Sequence, residues 1–134
     1  MKTIATVKWN KGDQNKKSVN SETELIALIQ DLDSNAKNDN YPISVEIKVN
    51  EGTVLSLVVG MEITVLHFYH EKNSSKYFVS EGEDTIDEWV SFFMQDHFSE
   101  MPRKYFVPST LAINAIKEYY RSGDKPTNVH WIKI

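Results

Sequence analysis

The amino-acid sequence predicts an α+β domain in which two main helices pack on one face of a largely antiparallel sheet. Two segments place apolar residues at helical spacing beside capping residues, and the segment between them alternates polar and apolar residues between short turns. The 134 residues are 40% hydrophobic and 11% aromatic, which is enough to bury one core without disulfides or structural metals. We therefore expect a single domain that spans residues 1–134.

The N-terminal part is predicted to form a strand, a loop and the first helix. Residues 3–9 (TIATVKW) alternate loosely, and the following NKGDQNKK has the Gly, Asp and Asn residues of a turn or flexible loop. Ser21 and Glu24 form a capping box, in which the hydroxyl accepts from the third helical amide and the carboxylate reaches back to the cap amide. The helix then carries an apolar stripe that ends in the polar run 33–40 and consists of Leu25, Leu28, Ile29 and Leu32.

The middle of the chain is predicted to form an antiparallel meander. Residues 43–49 alternate as a half-buried strand requires, and Asn50-Glu51-Gly52 forms a turn. Residues 53–59, 62–70 and 77–80 are rich in β-branched and aromatic side chains and are separated by Gly60 and an Asn-Ser-Ser turn. The region 83–98 fits either a strand with a bulge or a short helix, whose inward residues would be Ile86, Trp89, Val90 and Phe93.

A second helix is predicted to begin at Val107-Pro108-Ser109-Thr110, because proline is tolerated in the first turn and hydroxyls serve as caps. Gly123 is placed for a left-handed residue after the helix, and Pro126 prevents its continuation. Residues 128–134 (NVHWIKI) then form a closing strand. The helix buries an apolar stripe made of Leu111, Ala112, Ala115, Ile116 and Tyr119.

Composition and charge exclude several kinds of site. The chain has no cysteine, which excludes disulfides, thiol chemistry and cysteine-based metal centres. It has no apolar run of about 18 residues and no signal-like N-terminus, so we expect a cytoplasmic protein without membrane contact. A net charge of -4 and a pI near 5.5 favour a basic protein partner over direct binding of nucleic acid. We expect no cofactor.

No catalytic or metal-binding residues are assigned from the motifs. His67 and His70 lie three apart, on opposite faces of a strand, and no third ligand is evident. His97 and His130 are isolated, and an isolated histidine beside aromatic residues is usually structural. The sequence has neither a nucleophile elbow around a serine nor a glycine-rich phosphate loop.

An acidic segment is the most informative feature of the charge pattern. Residues 81–100 contain no Lys or Arg, and their acidic residues are Glu81, Glu83, Asp84, Asp87, Glu88, Asp96 and Glu100. The segment is either a solvated face that keeps the protein in solution or a docking surface. The charge pattern alone fits a solvated face at least as well. The docking interpretation gains support because the acids alternate with aromatic residues that could anchor a partner, although at least half of these should be buried: Trp89, Phe92, Phe93 and Phe98.

The last quarter of the chain resembles a known family. A P-x3-A-x2-A-x3-aromatic pattern followed by S-G-x2-P-x4-W is formed by Pro108, Ala112, Ala115, Tyr119, Tyr120, Ser122, Gly123, Pro126 and Trp131. This pattern is similar to the C-terminal pattern of the first-numbered family of immunity proteins in bacterial polymorphic toxin systems. The resemblance implies a small cytosolic α+β protein, encoded beside a toxin, that binds and neutralises the toxin domain; several members accompany nucleic-acid deaminase toxins.

The motif itself has a structural explanation and is not expected to contact a toxin. Proline starts the helix, the two alanines permit close packing of helix on sheet, glycine ends the helix, and Trp131 pins the last strand into the core.

The leading hypothesis is a non-catalytic immunity protein that blocks the basic active-site or substrate surface of a deaminase or nuclease toxin. Two alternatives stay open. One is a small enzyme or ligand-binding domain with a pocket between helices and sheet, where His67 or His97 pairs with a carboxylate. The other is a scaffold or oligomer-forming module. The predicted toxin-binding residues are Glu81, Glu83, Asp84, Asp87, Glu88, Trp89 and Asp96.

Overall fold

Eleven strands and two α-helices are present in a computed structural model of the chain, which describes residues 3–11, 13–83, 87–94 and 97–134. The helices are α1 (Glu22–Asn38) and α2 (Ser109–Ser122). The strands are β1 (Ala5–Lys11), β2 (Asp13–Val19), β3 (Ile43–Lys48), β4 (Thr53–Val59), β5 (Ile63–Val65), β6 (His67–His70), β7 (Asn73–Ser80), β8 (Trp89–Met94), β9 (His97–Pro102), β10 (Phe106–Pro108) and β11 (Trp131–Lys133).

Nine of these strands form one sheet, whose main order is β11-β7-β6-β4-β3-β1-β2. The β8–β9 hairpin joins this sheet through a single parallel contact between Ile43 and Phe93; the other pairings are antiparallel. Strands β5 and β10 form a separate antiparallel pair. The predicted α+β class, with a largely antiparallel sheet and two helices on it, is confirmed.

The sheet buries two different apolar clusters because side chains alternate between its faces. One face carries Val7, Val45, Leu55 and Phe68, and these residues pack with the buried sides of α1 and α2 in the main core. The other face carries Val58 and Val79, which pack in a smaller cluster with Val65, Phe92 and Phe106. Both helices therefore lie on one face, and the β8–β9 hairpin contributes to the core on the opposite face.

Helix α1 begins with the predicted serine cap and extends further than predicted. The backbone N–H of Glu24 donates to the Ser21 hydroxyl at 3.1 Å, whereas the Glu24 carboxylate accepts from Asn20 rather than from the cap residue itself. The helix continues through the polar run to Asn38, because Ala36 adds a further buried position to the stripe.

Helix α2 begins and ends close to the predicted positions, but the predicted hydroxyl cap is wrong because no side chain caps its N-terminus. Pro108 is the cap residue, and the Ser109 hydroxyl donates to the Met61 carbonyl at 2.9 Å. Gly123 adopts a left-handed conformation with φ 69° and donates its N–H to the Tyr119 carbonyl at 2.7 Å.

Several predicted boundaries are wrong. The residues of the predicted Asn-Ser-Ser turn, 73–75, belong to β7, and the closing strand predicted over 128–134 is only Trp131–Lys133. The predicted loop at residues 10–17 is largely strand, because β1 and β2 pair along their length from Ala5 opposite Val19 to Lys11 opposite Asp13. The single strand predicted over 62–70 is divided into β5 and β6, which belong to different sheets. Leu66 lies at the break, where its N–H donates to the Ser80 hydroxyl at 2.9 Å.

The ambiguous region is a β-hairpin, so the helical interpretation of residues 83–98 is wrong. Strands β8 and β9 pair in a continuous register from Trp89 opposite Pro102 to Met94 opposite His97. Trp89 is exposed rather than inward, whereas Phe92 is buried. Ile86 lies outside the described residues.

Candidate functional site

The outer face of the β8–β9 hairpin presents large aromatic side chains to solvent. Trp89 and Phe98 are each 63% exposed, and Met94 on the other face is 37% exposed. Trp89 and Phe93 are four residues apart on one strand and therefore share a face, and Phe98 lies opposite Phe93 on the neighbouring strand. This hairpin holds three of the five exposed large hydrophobic residues found in the described part of the chain.

Aromatic contacts on both faces hold the hairpin in place. The Phe93 ring stacks on Tyr41 with centroids 4.1 Å apart and meets the edge of Phe98 at 6.0 Å. On the opposite face, Phe92 packs against Phe106 at 6.3 Å. The exposed rings of Trp89 and Phe98 thus lie on a hairpin that packs against the rest of the fold on both faces.

The predicted acidic residues divide into three groups. Glu81, Glu83 and Asp87 are exposed and have no ion-pair partner within the described ranges. Glu88 is paired: its Oε1 lies 2.5 Å from Arg103 Nη1, and its carbonyl accepts from the Arg103 N–H at 2.9 Å. Asp84 and Asp96 lie outside the described residues.

Sequence reasoning missed Arg103 and did not select Glu100. Arg103 follows the acidic segment in sequence, and only the register of the hairpin brings it to Glu88. Glu100 is exposed beside Ser91, whose hydroxyl donates to it at 3.4 Å. The exposed negative charge beside the aromatic residues is therefore carried by Asp87 and Glu100, with Glu88 neutralised.

A groove of about 460 Å³ adjoins the hairpin. Residues 81–83 form one wall, where the Glu81 N–H donates to the His130 carbonyl at 2.8 Å and the Gly82 N–H donates to the Lys104 carbonyl at 2.7 Å. Arg103 lines this groove and also pairs with Glu88, so the groove and the hairpin form one continuous surface. Apolar residues of β10 and α2 also line the groove, together with Ile63, Asn128 and His130: Phe106, Val107, Pro108 and Leu111.

Neither His67 nor His97, the two histidines that the enzyme alternative names, lines the groove. His67 is only 6% exposed and does not line the groove; it contacts the edge of Tyr77 at 5.8 Å. Burial lowers the pKa of His67 to about 4, so its ring is neutral at pH 7. His97 is exposed at the end of the hairpin, opposite Met94. Within the described ranges, no cluster of three or more His, Asp or Glu residues could hold a metal ion.

The buried His67 predicts an acid-sensitive stability. In the unfolded chain His67 binds a proton as the pH falls below 6.5. In the folded chain it stays neutral until the pH reaches about 4. The free energy of unfolding should therefore fall as the pH drops from 6.5 to 4, by up to about 3 kcal/mol from this group. Urea unfolding at a series of pH values across this range measures the loss.

The His67→Gln variant should lose less stability on acidification than the wild type. The control variant His130→Gln, at an exposed position, should lose as much as the wild type. If the free energy of unfolding falls equally with pH in all three proteins, the assignment to His67 is contradicted.

The motif residues of the last quarter lie in and around the core rather than on the hairpin. Ala112 and Ala115 are buried against the sheet, and Pro126 is buried below the end of α2. The Trp131 indole donates to the Pro126 carbonyl at 2.8 Å, and its ring lies 6.3 Å from Phe68. Pro108 is exposed and caps α2.

Comparison with known proteins establishes the family. In the described part of the chain, neither helix is long and apolar enough to cross a membrane. No curated protein sequence matches the chain significantly. The model of the family described as immunity protein Imm1 matches residues 14–133, which is nearly the whole chain and far more than the C-terminal motif. The chain therefore belongs to the Imm1 immunity protein family, which implies that it neutralises a toxin and fits the expectation that it is not an enzyme.

Proposed function

We propose that this protein acts in the cytoplasm as a non-catalytic inhibitor of a cognate toxin domain that attacks nucleic acid. The inhibitor covers the toxin's basic active-site or substrate surface with the β8–β9 hairpin and the adjacent acidic wall of the groove. The observation that carries this proposal is the exposure of Trp89 and Phe98, each 63%, within an acidic segment of an immunity-family protein.

The electrostatic part of the proposal rests on complementarity. A toxin that binds DNA or RNA needs a basic surface for the phosphates, and carboxylates can occupy the same positions. Glu81, Glu83 and Asp87 are exposed and have no ion-pair partner in the described ranges, so their charge is available to a partner. Opposite charge of this kind mainly accelerates encounter and orients the two proteins.

The exposed aromatic side chains would slow the dissociation of the complex with the toxin. Trp residues are frequent energetic centres of protein interfaces, because they bury a large area and have few rotatable bonds. Trp89 is exposed, with charged residues around it. The hairpin thus combines an apolar centre with a polar rim, which is the usual arrangement of a tight interface.

Reversing the free carboxylates tests this arrangement. The double variant Glu83→Lys/Asp87→Lys should associate with the toxin at least about 10-fold more slowly at low salt, and the difference should shrink as salt is added. The probe is the C-terminal domain of the protein encoded immediately upstream, with association followed by stopped flow or biolayer interferometry. Glu88 is left intact because its substitution would also break the pair with Arg103.

The control carries the same change in net charge away from the proposed surface. Asp31 and Glu51 are exposed and line neither the hairpin nor the groove, so Asp31→Lys/Glu51→Lys should slow association far less. Equal slowing in both double variants would show that only the overall charge matters and would remove the acidic wall from the interface.

A further inference from the structure

The phase of the hydrogen bonds in the β8–β9 hairpin determines which backbone groups of β9 face outward. The Arg103 N–H donates to the Glu88 carbonyl at 2.9 Å, so these two residues form a hydrogen-bonded pair. This pair directly precedes Trp89 opposite Pro102, the first pair of the β8–β9 register. Hydrogen-bonded and non-hydrogen-bonded pairs alternate along an antiparallel ladder. Val90 with Met101 and Phe92 with Ser99 are therefore hydrogen-bonded pairs, whose backbone groups face the partner strand. The N–H and C=O groups of Phe98 and Glu100 therefore point away from β8.

The other edge of the hairpin confirms this phase. Phe93 lies opposite Phe98 and should also point its backbone outward, and its N–H donates to the Pro42 carbonyl at 2.9 Å. The outward backbone groups of β9 have no such hydrogen-bond partner in the described ranges, because β9 pairs there with β8 alone. Pro102, which has no N–H, occupies the last outward position and ends the available edge.

This edge is longer than β11 and, unlike β2, carries no lysine; Pro102 blocks only its end. Exposed edges are usually blunted by lysines, short length or covering elements. Strand β2 carries the exposed Lys16 and Lys17, and β11 has only three residues and ends at Lys133. Strand β9 instead presents Phe98, with Trp89 on the same face of the hairpin.

We propose that β9 accepts an extended segment of the toxin as an additional strand, which bonds to the free backbone groups of Phe98 and Glu100. This inference rests on the proposed function and names how the same surface binds. Charge complementarity identifies the occupant. A strand laid along β9 places alternate side chains beside Phe98 and Glu100. This favours a toxin segment in which an apolar residue and a Lys or Arg are two positions apart. The main-chain hydrogen bonds would provide affinity, and the side chains of Phe98 and Glu100 would select the sequence of the toxin segment.

Hydrogen exchange of the complex tests the backbone contact directly. In the free protein the amides of Phe98 and Glu100 have no hydrogen-bond acceptor in the described ranges and should exchange rapidly. In the complex with the upstream-encoded toxin domain, both amides should exchange at least about 10-fold more slowly. The amide of Ser99, which faces inward, should change less.

A proline substitution provides a second, independent readout. Glu100→Pro removes one outward N–H at the same kind of position that Pro102 already occupies, so the hairpin should stay folded. Glu100→Ala removes the carboxylate and keeps the N–H. Calorimetric titration with the toxin domain should show at least a further 10-fold loss of affinity for the proline variant relative to the alanine variant, with similar melting temperatures of the free proteins.

The outcomes separate this inference from the proposed function. If the toxin is neutralised but the two amides stay unprotected and both Glu100 variants bind equally, the strand-addition mode is wrong and the inhibitory function stands. If no complex forms, both are wrong. If light scattering shows a dimer of the free chain with these amides already protected, the occupant is a second copy, which also overturns the assignment to the toxin.

Discussion

Replacement of Trp89 by alanine is expected to weaken toxin binding by roughly 30-fold or more, which corresponds to about 2 kcal/mol. The indole is 63% exposed in the free protein, so a complex that covers the hairpin would bury most of its surface. The loss should appear mainly as faster dissociation, because apolar anchors hold a formed complex whereas charges guide its formation. Titration calorimetry and dissociation rates with the purified toxin domain measure both quantities.

The free Trp89→Ala protein should remain stable, since an exposed position contributes within about 0.5 kcal/mol to folding. Ile4→Ala provides the matched control, because Ile4 is 60% exposed and lies outside the hairpin. It should leave both affinity and stability unchanged. If Trp89→Ala binds the toxin as tightly as the Ile4 control, the hairpin does not anchor the complex.

Substitution of Gly82 by alanine is expected to destabilise the fold by about 3 kcal/mol and to lower the melting temperature by roughly 10 °C. A Cβ atom at this position would lie 1.9 Å from the Phe106 carbonyl oxygen, and that oxygen belongs to the backbone, which cannot rotate away. Relief requires residues 81–83 to move off residues 104–106, which would break the hydrogen bond from Gly82 to Lys104.

Thermal unfolding of Gly82→Ala and Gly52→Ala tests this steric argument. At Gly52 a Cβ would meet only Asn50 Oδ1, at 3.8 Å, and the backbone is not in the left-handed region, so its stability should change by less than about 0.5 kcal/mol. Because residues 81–83 also form the acidic wall of the groove, Gly82→Ala should weaken toxin binding as well. Equal melting temperatures for the two variants would contradict the close approach of Phe106.

Local signals explain why both helices and most of the sheet could be predicted from the sequence. The Ser21 cap, the apolar stripe of α1 and the left-handed Gly123 act within a few residues of where they stand. Strand β2 was missed for the opposite reason. It is an edge strand with the exposed side chains of Lys16 and Lys17, so its sequence shows little alternation, and the pairing with β1 supplies its stability.

The candidate site was predicted in part, because composition reveals charge but not exposure or pairing. The acidic segment and Trp89 could be singled out, yet nothing local distinguishes the exposed Trp89 from the buried Phe92 three residues later. The neutralisation of Glu88 by Arg103 depends on the register of two strands, and the need for glycine at position 82 depends on a carbonyl 24 residues away. Such contacts are tertiary, and periodicity carries no information about them.

A co-expression rescue measures whether the chain neutralises its toxin in living cells. The C-terminal domain of the protein encoded immediately upstream would be induced in a bacterial host, with survivors counted in the presence and absence of this chain. If the chain neutralises this toxin, the domain should kill alone, the chain should restore growth, and the two proteins should purify as a stable complex. Equal killing in both strains, with the chain present and folded, would contradict this neutralisation.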